Sequence, residues 1–183
     1  MESSQPNLFM VFDVEAIGLH GEGFAVGFVL VDREGNRQAE GLVACPRETC
    51  SGTPDNHVRI AQMVAPITPT HAQPRDMRTA FWNQWLVWKE RGAVLVADCC
   101  WPVESRFLAA CVDDDPVARE WQGPFPLHDL ATLMLAQGLD PLATPDRREY
   151  ELPAHNPLAD ARQSARILAE ALGSAKSKLQ AGM

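Results

Sequence analysis

No stretch of the 183-residue chain comes near the roughly 20 consecutive apolar residues that a bilayer span requires, so no membrane partner is expected. The leading Met1-Glu2-Ser3-Ser4 lacks the basic region of a secretory signal. Cysteine is sparse: Cys45, Cys50, Cys99, Cys100 and Cys111 make five, an odd number with no Cys-x-x-Cys spacing. That argues against a zinc cage or a disulfide framework, and for a reducing, cytoplasmic setting. Positive charge is also short. Sixteen Lys and Arg face 24 Asp and Glu, a formal net charge of −8, and the isoelectric point lies near 5.0. A protein that grips a long duplex by neutralising many phosphates is usually basic, which disfavours extended nucleic-acid binding. A short phosphate-bearing substrate held through divalent cations stays open, because carboxylates clustered around such ions make a chain acidic. There is no internal repeat.

What is present is an ordinary globular composition, 46% hydrophobic and 22% charged, of a length suited to one core. Leu8 to Glu15 reads LFMVFDVE, Gly23 to Asp32 reads GFAVGFVLVD, and Arg37 to Cys45 follows the turn residues Asp32-Arg33-Glu34-Gly35-Asn36. Three strands in an antiparallel meander are expected. Pro46 to Asp55 and Pro66 to Pro74 read as surface loops flanking a short segment at about 57–65. Phe81, Trp82, Trp85 and Leu86 recur at helical spacing within Met77 to Arg91, and Gly92 supplies a stop. Ala93 to Ala97 (AVLVA) is a short buried strand. A helix is expected from Pro102 to about Val112, a short apolar strand at Phe125 to Leu127, and a helix from Leu130 to Gln137. Asp140 to Pro153, broken by three prolines, reads as a mobile loop. Pro157 to Leu172 forms a last helix with Leu158, Ala161, Ala165, Leu168 and Leu172 on its buried side. The expected organisation is an α/β domain over residues 1–173, with a mixed sheet and a polar tail over 174–183.

Acids stand where these elements begin or end. Asp13 and Glu15, two apart in a strand, point to one face. Asp98 ends the AVLVA strand, Glu104 opens the next helix, and Asp160 lies in the first turn of the last helix, five residues after His155. Glu104 shares a helical face with Phe107, Leu108 and Cys111, which turns it inward. Two carboxylates at about 4 Å repel by about 4 kcal/mol at an effective dielectric of about 20, so several gathered at one sheet end need a cation to stay ionised together.

In that order, FDVEAIGL (Phe12–Leu19), ADCCWPVESRFL (Ala97–Leu108) and HNPLADARQSARIL (His155–Leu168) resemble the three exonuclease motifs of the DEDDh 3′–5′ exonuclease superfamily, whose members have an RNase H-like fold. The resemblance implies that Asp13, Glu15 and Asp160 hold two divalent metal ions, Mg²⁺ or Mn²⁺, and that His155 is the general base. It implies hydrolysis at the 3′ ends of single-stranded DNA or RNA, or of short oligonucleotides, releasing nucleoside 5′-monophosphates. It also places Ala16, Ile17, Gly18 and Leu19 beside the terminal nucleotide and raises the expectation of a homodimer. The second motif departs from the family pattern. Asp98-Cys99 replaces the usual His-Asn pair, and Glu104 stands where an aspartate is usual, so either acid can complete the site, with the alignment favouring Glu104. Ala16-Ile17 also replaces a threonine that commonly follows the Glu, which removes a polar contact.

Plainer roles stand beside these. Asp13 and Glu15 also suit a solvated strand end, Glu104 the dipole of a helix start, Asp98 an Asx-type turn, and His155 and Asp160 a loop histidine and a first-turn acid. Cys99 and Cys100 read as core thiols. Trp82, Trp85 and Trp88 read as helix-to-sheet packing rather than a base-stacking platform, whereas Trp101, beside the acids, has a base within reach. Arg147 and Arg148 read as solvated loop residues in preference to phosphate contacts. Two other functions compete with the exonuclease: a nucleic-acid-binding module of the same fold that has lost turnover, and a phosphodiesterase for dinucleotides or nucleotide conjugates.

Overall fold

The computed structural model describes residues 6–143 and 145–181, and only the backbone of 174–181. The leader Met1-Glu2-Ser3-Ser4 and the end of the expected tail, residues 182–183, lie outside the described residues. Three strands, β1 (Leu8–Ala16), β2 (Gly23–Asp32) and β3 (Arg37–Ala44), form the meander that the apolar runs predict. Its second turn is tied by Asp32, whose carboxylate accepts from the N–H groups of Glu34 and Asn36 at 3.1 and 2.8 Å. Then come α1 (Pro54–Met63), α2 (Pro74–Lys89), β4 (Val94–Ala97), α3 (Ser105–Asp113), α4 (Pro116–Arg119), β5 (His128–Asp129), α5 (Leu130–Ala136) and α6 (Pro157–Ala181). The sheet order is β3-β2-β1-β4-β5. β1 is antiparallel to β2 and parallel to β4, and β4 is parallel to β5. The sheet is therefore mixed, as expected.

Strand alternation divides the core in two. Phe9 and Val11 of β1 share a face with Val29 and Val31 of β2, and pack against Leu130, Ala161, Ala165 and Leu168 from α5 and α6. Met10, Phe12 and Val14 face the other way, among Phe81, Trp82 and Trp85 of α2 and Phe107 and Cys111 of α3. Phe81 lies at the centre of that side, its ring 5.5, 6.4 and 5.3 Å from those of Phe12, Phe28 and Phe107. The indoles of Trp82 and Trp85 donate to the side chain and backbone carbonyls of Gln122, so these tryptophans pack as expected. Arg78 of α2, also buried, joins Asp114 through two contacts of 2.7 and 2.8 Å and Glu22 at 2.6 Å.

Helical backbone begins at Pro102 as expected, after the extended Trp101, in a π-type turn that leads into α3 at Ser105. Three expectations need correction. The strand expected at Phe125–Leu127 is displaced to His128–Asp129, because parallel pairing aligns those two residues with Val96 and Ala97. Cys99 is exposed and Cys100 half-buried, so neither is a core thiol. Finally, α6, expected to end at about Leu172, continues to Ala181. Among the described residues no helix is long and apolar enough to cross a membrane.

Candidate metal-binding active site

Asp13 and Glu15 extend the odd-numbered face of β1 beyond Phe9 and Val11, the face that α6 covers. Asp13 is paired in register with Gly27 of β2. Glycine is required there. A Cβ on Gly27 would lie 2.2 Å from the backbone nitrogen of Leu158 and 2.3 Å from the carbonyl carbon of Pro157. The missing side chain lets the start of α6 rest on the strand directly beside Asp13. Asn156 caps that helix, its Oδ1 accepting from the N–H groups of Leu158 and Ala159 at 3.1 and 3.2 Å, and Asp160 follows in the first turn. Asp13, Glu15 and Asp160 consequently bring one carboxylate oxygen each within 4.8 Å of one another.

Glu104 and Asp98 are placed differently. Glu104 is 7% exposed, as its helical face predicts, and its charge acts on both Asp13 and Glu15. Asp98 sits just past the end of β4 and is exposed; its side chain is engaged with Ser164 of α6. Neither shares the 4.8 Å group; Glu104 is coupled to Asp13 and Glu15 and Asp98 to Asp13 and Asp160, and of the two Glu104 is the more buried.

The titration of these acids records the crowding. The Asp13 carboxyl is held well above the ordinary range, first by lost hydration and then by the charges of Asp160, Glu104, Glu15 and Asp98. Glu15 is pushed up to about 7, by burial and then by Asp160 and Glu104. Burial also takes Glu104 to about 7, against the pull of its own backbone N–H and that of Val14. Asp160 is raised by burial, while Arg147 and, less strongly, His155 draw it down. Asp98 is raised chiefly by lost hydration, offset in part by the Ser164 hydrogen bond. Hard oxygen donors with raised proton affinity, three of them within 4.8 Å of one another, fit a divalent cation of the Mg²⁺ or Mn²⁺ kind.

His155 is exposed and adopts φ +58°, a left-handed conformation in which histidine is among the better tolerated residues. The segment after β1 turns sharply at Gly18, φ +76°. Leu19 is 65% exposed and Trp101 67%, so both offer apolar surface to solvent. Ala16 and Ile17 do not: their side chains are buried, and Ile17 packs on the open face of Gly52. Sequence reasoning missed Asn56 of α1. It donates to the Ile17 carbonyl at 3.3 Å and fills the space where a Gly18 side chain would be. Nothing in the pattern of residues 54–57 signals that contact. Two grooves of about 760 and 590 Å³ flank α6, and neither is lined by Asp13, Glu15 or Asp160.

No protein-family model matches the chain, and no curated protein matches it in sequence. Solved structures do. Escherichia coli exonuclease I in a zinc-bound complex with single-stranded DNA superimposes with a TM-score of 0.61 at 14% identity, over 90% of this chain and 40% of that one. Exonuclease I of Methylocaldum szegediense gives 0.60 at 17% identity, over 91% and 40%. A 3′-exonuclease that recognises the histone mRNA stem-loop gives 0.57 at 15%, over 94% and 84%. The fold is that of the DEDDh-type 3′–5′ exonucleases. This exonuclease fold is RNase H-like, as the meander and motif order imply. The chain spans 40% of the exonuclease I chains described and most of the histone mRNA enzyme. At these identities the likeness concerns architecture, and the chemistry rests on the residues.

Proposed function

We propose that the protein is a metal-dependent 3′–5′ exonuclease that hydrolyses the terminal phosphodiester of single-stranded DNA or RNA and releases nucleoside 5′-monophosphates. The observation that carries this reading is the meeting of Asp13 and Glu15 with Asp160, 145 residues beyond Glu15 along the chain, within 4.8 Å. These three, with Glu104 as the fourth acid, would hold the divalent cations. When bound, such ions compensate the charge that develops at phosphorus and on the leaving 3′ oxygen during in-line displacement. The chain's own residues do the rest. His155, at the entrance to α6, accepts the proton of the attacking water; water oxygen bonds to phosphorus as the bond to the 3′ oxygen breaks. The Gly18 turn, backed by Asn56, and the exposed Leu19 seat the last nucleotide, and Trp101 stacks on a base. Histidine suits proton acceptance near neutrality.

The test is incubation with 3′- and 5′-labelled DNA and RNA oligomers in Mg²⁺ or Mn²⁺, with EDTA and Asp160→Asn as controls. Stepwise shortening from the 3′ end that both controls abolish is expected. Binding without turnover would identify a nucleic-acid-binding module, and cleavage confined to dinucleotides a small-substrate phosphodiesterase; either result overturns the proposal.

A further inference from the structure

Among the acids of the site, Asp160 has a guanidinium seated directly on it. Arg147 Nη1 lies 2.5 Å from Asp160 Oδ1 and also donates to the carbonyl of Glu151 at 2.9 Å. Arg147 is not the solvated loop residue that its sequence context suggests, and the segment around it is not loose. Glu151 has no exposed surface and receives a two-pronged contact from Arg166 of α6, 2.7 and 3.0 Å long. On either side of Arg147 the backbone is gripped by α6 side chains. Gln163 donates to Pro145 O at 3.0 Å, Arg166 to Asp146 O at 3.1 Å, and Arg162 to Tyr150 O at 3.0 Å. A buried ion pair such as Glu151–Arg166 adds little net stability, because desolvation offsets most of the attraction. Its evident effect is positional: it fixes one guanidinium at the carboxylate cluster. The neighbouring Arg148 goes elsewhere, to Tyr150 and Glu170 on the surface.

A divalent cation and the Arg147 guanidinium compete for the Asp160 carboxylate. When the cation takes it, Arg147 is still held at the rim by the Glu151 carbonyl, and its freed donors match two oxygens of a phosphate in spacing and charge. We propose that Arg147 is a phosphate-binding residue of this site, parked on Asp160 in the cation-free protein and released to the phosphate of the terminal nucleotide when the carboxylate is claimed. The inference rests on the exonuclease reading and deepens it.

Calorimetric titration of AMP and dTMP into the full chain with saturating Ca²⁺ tests it, using wild type, Arg147→Gln, Arg147→Lys and Arg148→Gln, with Ca²⁺ titrated alone into each. Losing a charge-assisted contact weakens nucleotide binding by about 10- to 100-fold in Arg147→Gln. Arg147→Lys falls between, since an ammonium lacks the fork, and Arg148→Gln stays within about twofold. Ca²⁺ affinity without nucleotide is undiminished in Arg147→Gln. Nucleotide binding by Arg147→Gln within twofold of wild type overturns the inference and leaves the exonuclease reading standing. A parallel loss of Ca²⁺ affinity overturns it too, by making Arg147 a scaffold for the acids. Wild type that binds Ca²⁺ but neither nucleotide overturns both readings. Should Arg147→Gln fail to fold, the Lys variant decides by the same criteria.

Discussion

Gly27→Ala is the sharpest probe of how the fold makes the site. Elsewhere in a strand, alanine for glycine is neutral or mildly stabilising, because glycine loses more freedom on folding. Here the new methyl would lie 2.2, 2.3 and 2.4 Å from Leu158 N, Pro157 C and Pro157 O. All three are backbone atoms, so no side chain can swing aside. Restoring an ordinary contact of about 3.5 Å moves the start of α6 by about 1.3 Å. Asp160 travels with it, while Asp13, directly opposite Gly27, stays in the sheet. Overpacking of this kind costs about 1–3 kcal/mol, and a misplacement of about 1 Å costs about 100-fold in turnover. Denaturant unfolding should therefore show destabilisation of that size, and Mn²⁺ titration a weakened site. Gly173→Ala in α6, whose methyl meets nothing within 4 Å, should lose neither stability nor metal affinity. If Gly27→Ala binds Mn²⁺ and cleaves oligonucleotides as wild type does, the close approach of α6 to β2 does not set the carboxylate spacing.

The fourth acid is assigned by two conservative changes: Glu104→Gln should lower turnover by at least about 100-fold and Asp98→Asn by no more than about tenfold, and the reverse order in a steady-state assay refutes the assignment. His155→Asn keeps a residue tolerant of positive φ and should reduce turnover about 10²–10⁴-fold with an unchanged melting curve; near-normal turnover would remove the base from His155. Without divalent ions, stability should decline as pH rises from about 4.5 to 7, because Glu15 and Glu104, both raised to about 7, hold protons there that the unfolded chain has released. The Glu104 shift alone corresponds to about 3 kcal/mol, Mn²⁺ should restore stability above pH 7, and a flat cation-free profile across this window contradicts the placement of these acids. Arg78→Met strands the charges of Glu22 and Asp114 and should cost about 3–5 kcal/mol in denaturant unfolding; a loss below about 1 kcal/mol would show that the buried network is not maintained in solution.

The meander, α2 and α6 were legible because strands of alternating or continuous apolar character and a helical apolar stripe are local properties. So was the common face of Asp13 and Glu15, which the two-residue period of a strand determines without reference to the rest of the fold, and so was the inward turn of Glu104. Three things depended on the folded chain. Gly27 reads as any strand glycine until α6 is laid across it; the nearness of Asp160 to Asp13 then follows from backbone contact between residues 27 and 158. Asn56 meets Gly18 only because α1 returns to the end of β1. Arg147, in a proline-broken segment with no periodicity, is fixed by α6 side chains reaching backbone carbonyls, which any loop possesses. Sequence determines which groups are available and which way an element turns them, since those depend on neighbours a few bonds away. Distances between groups 145 residues apart, from Glu15 to Asp160, are decided by packing, where a missing methyl or one buried ion pair sets the spacing.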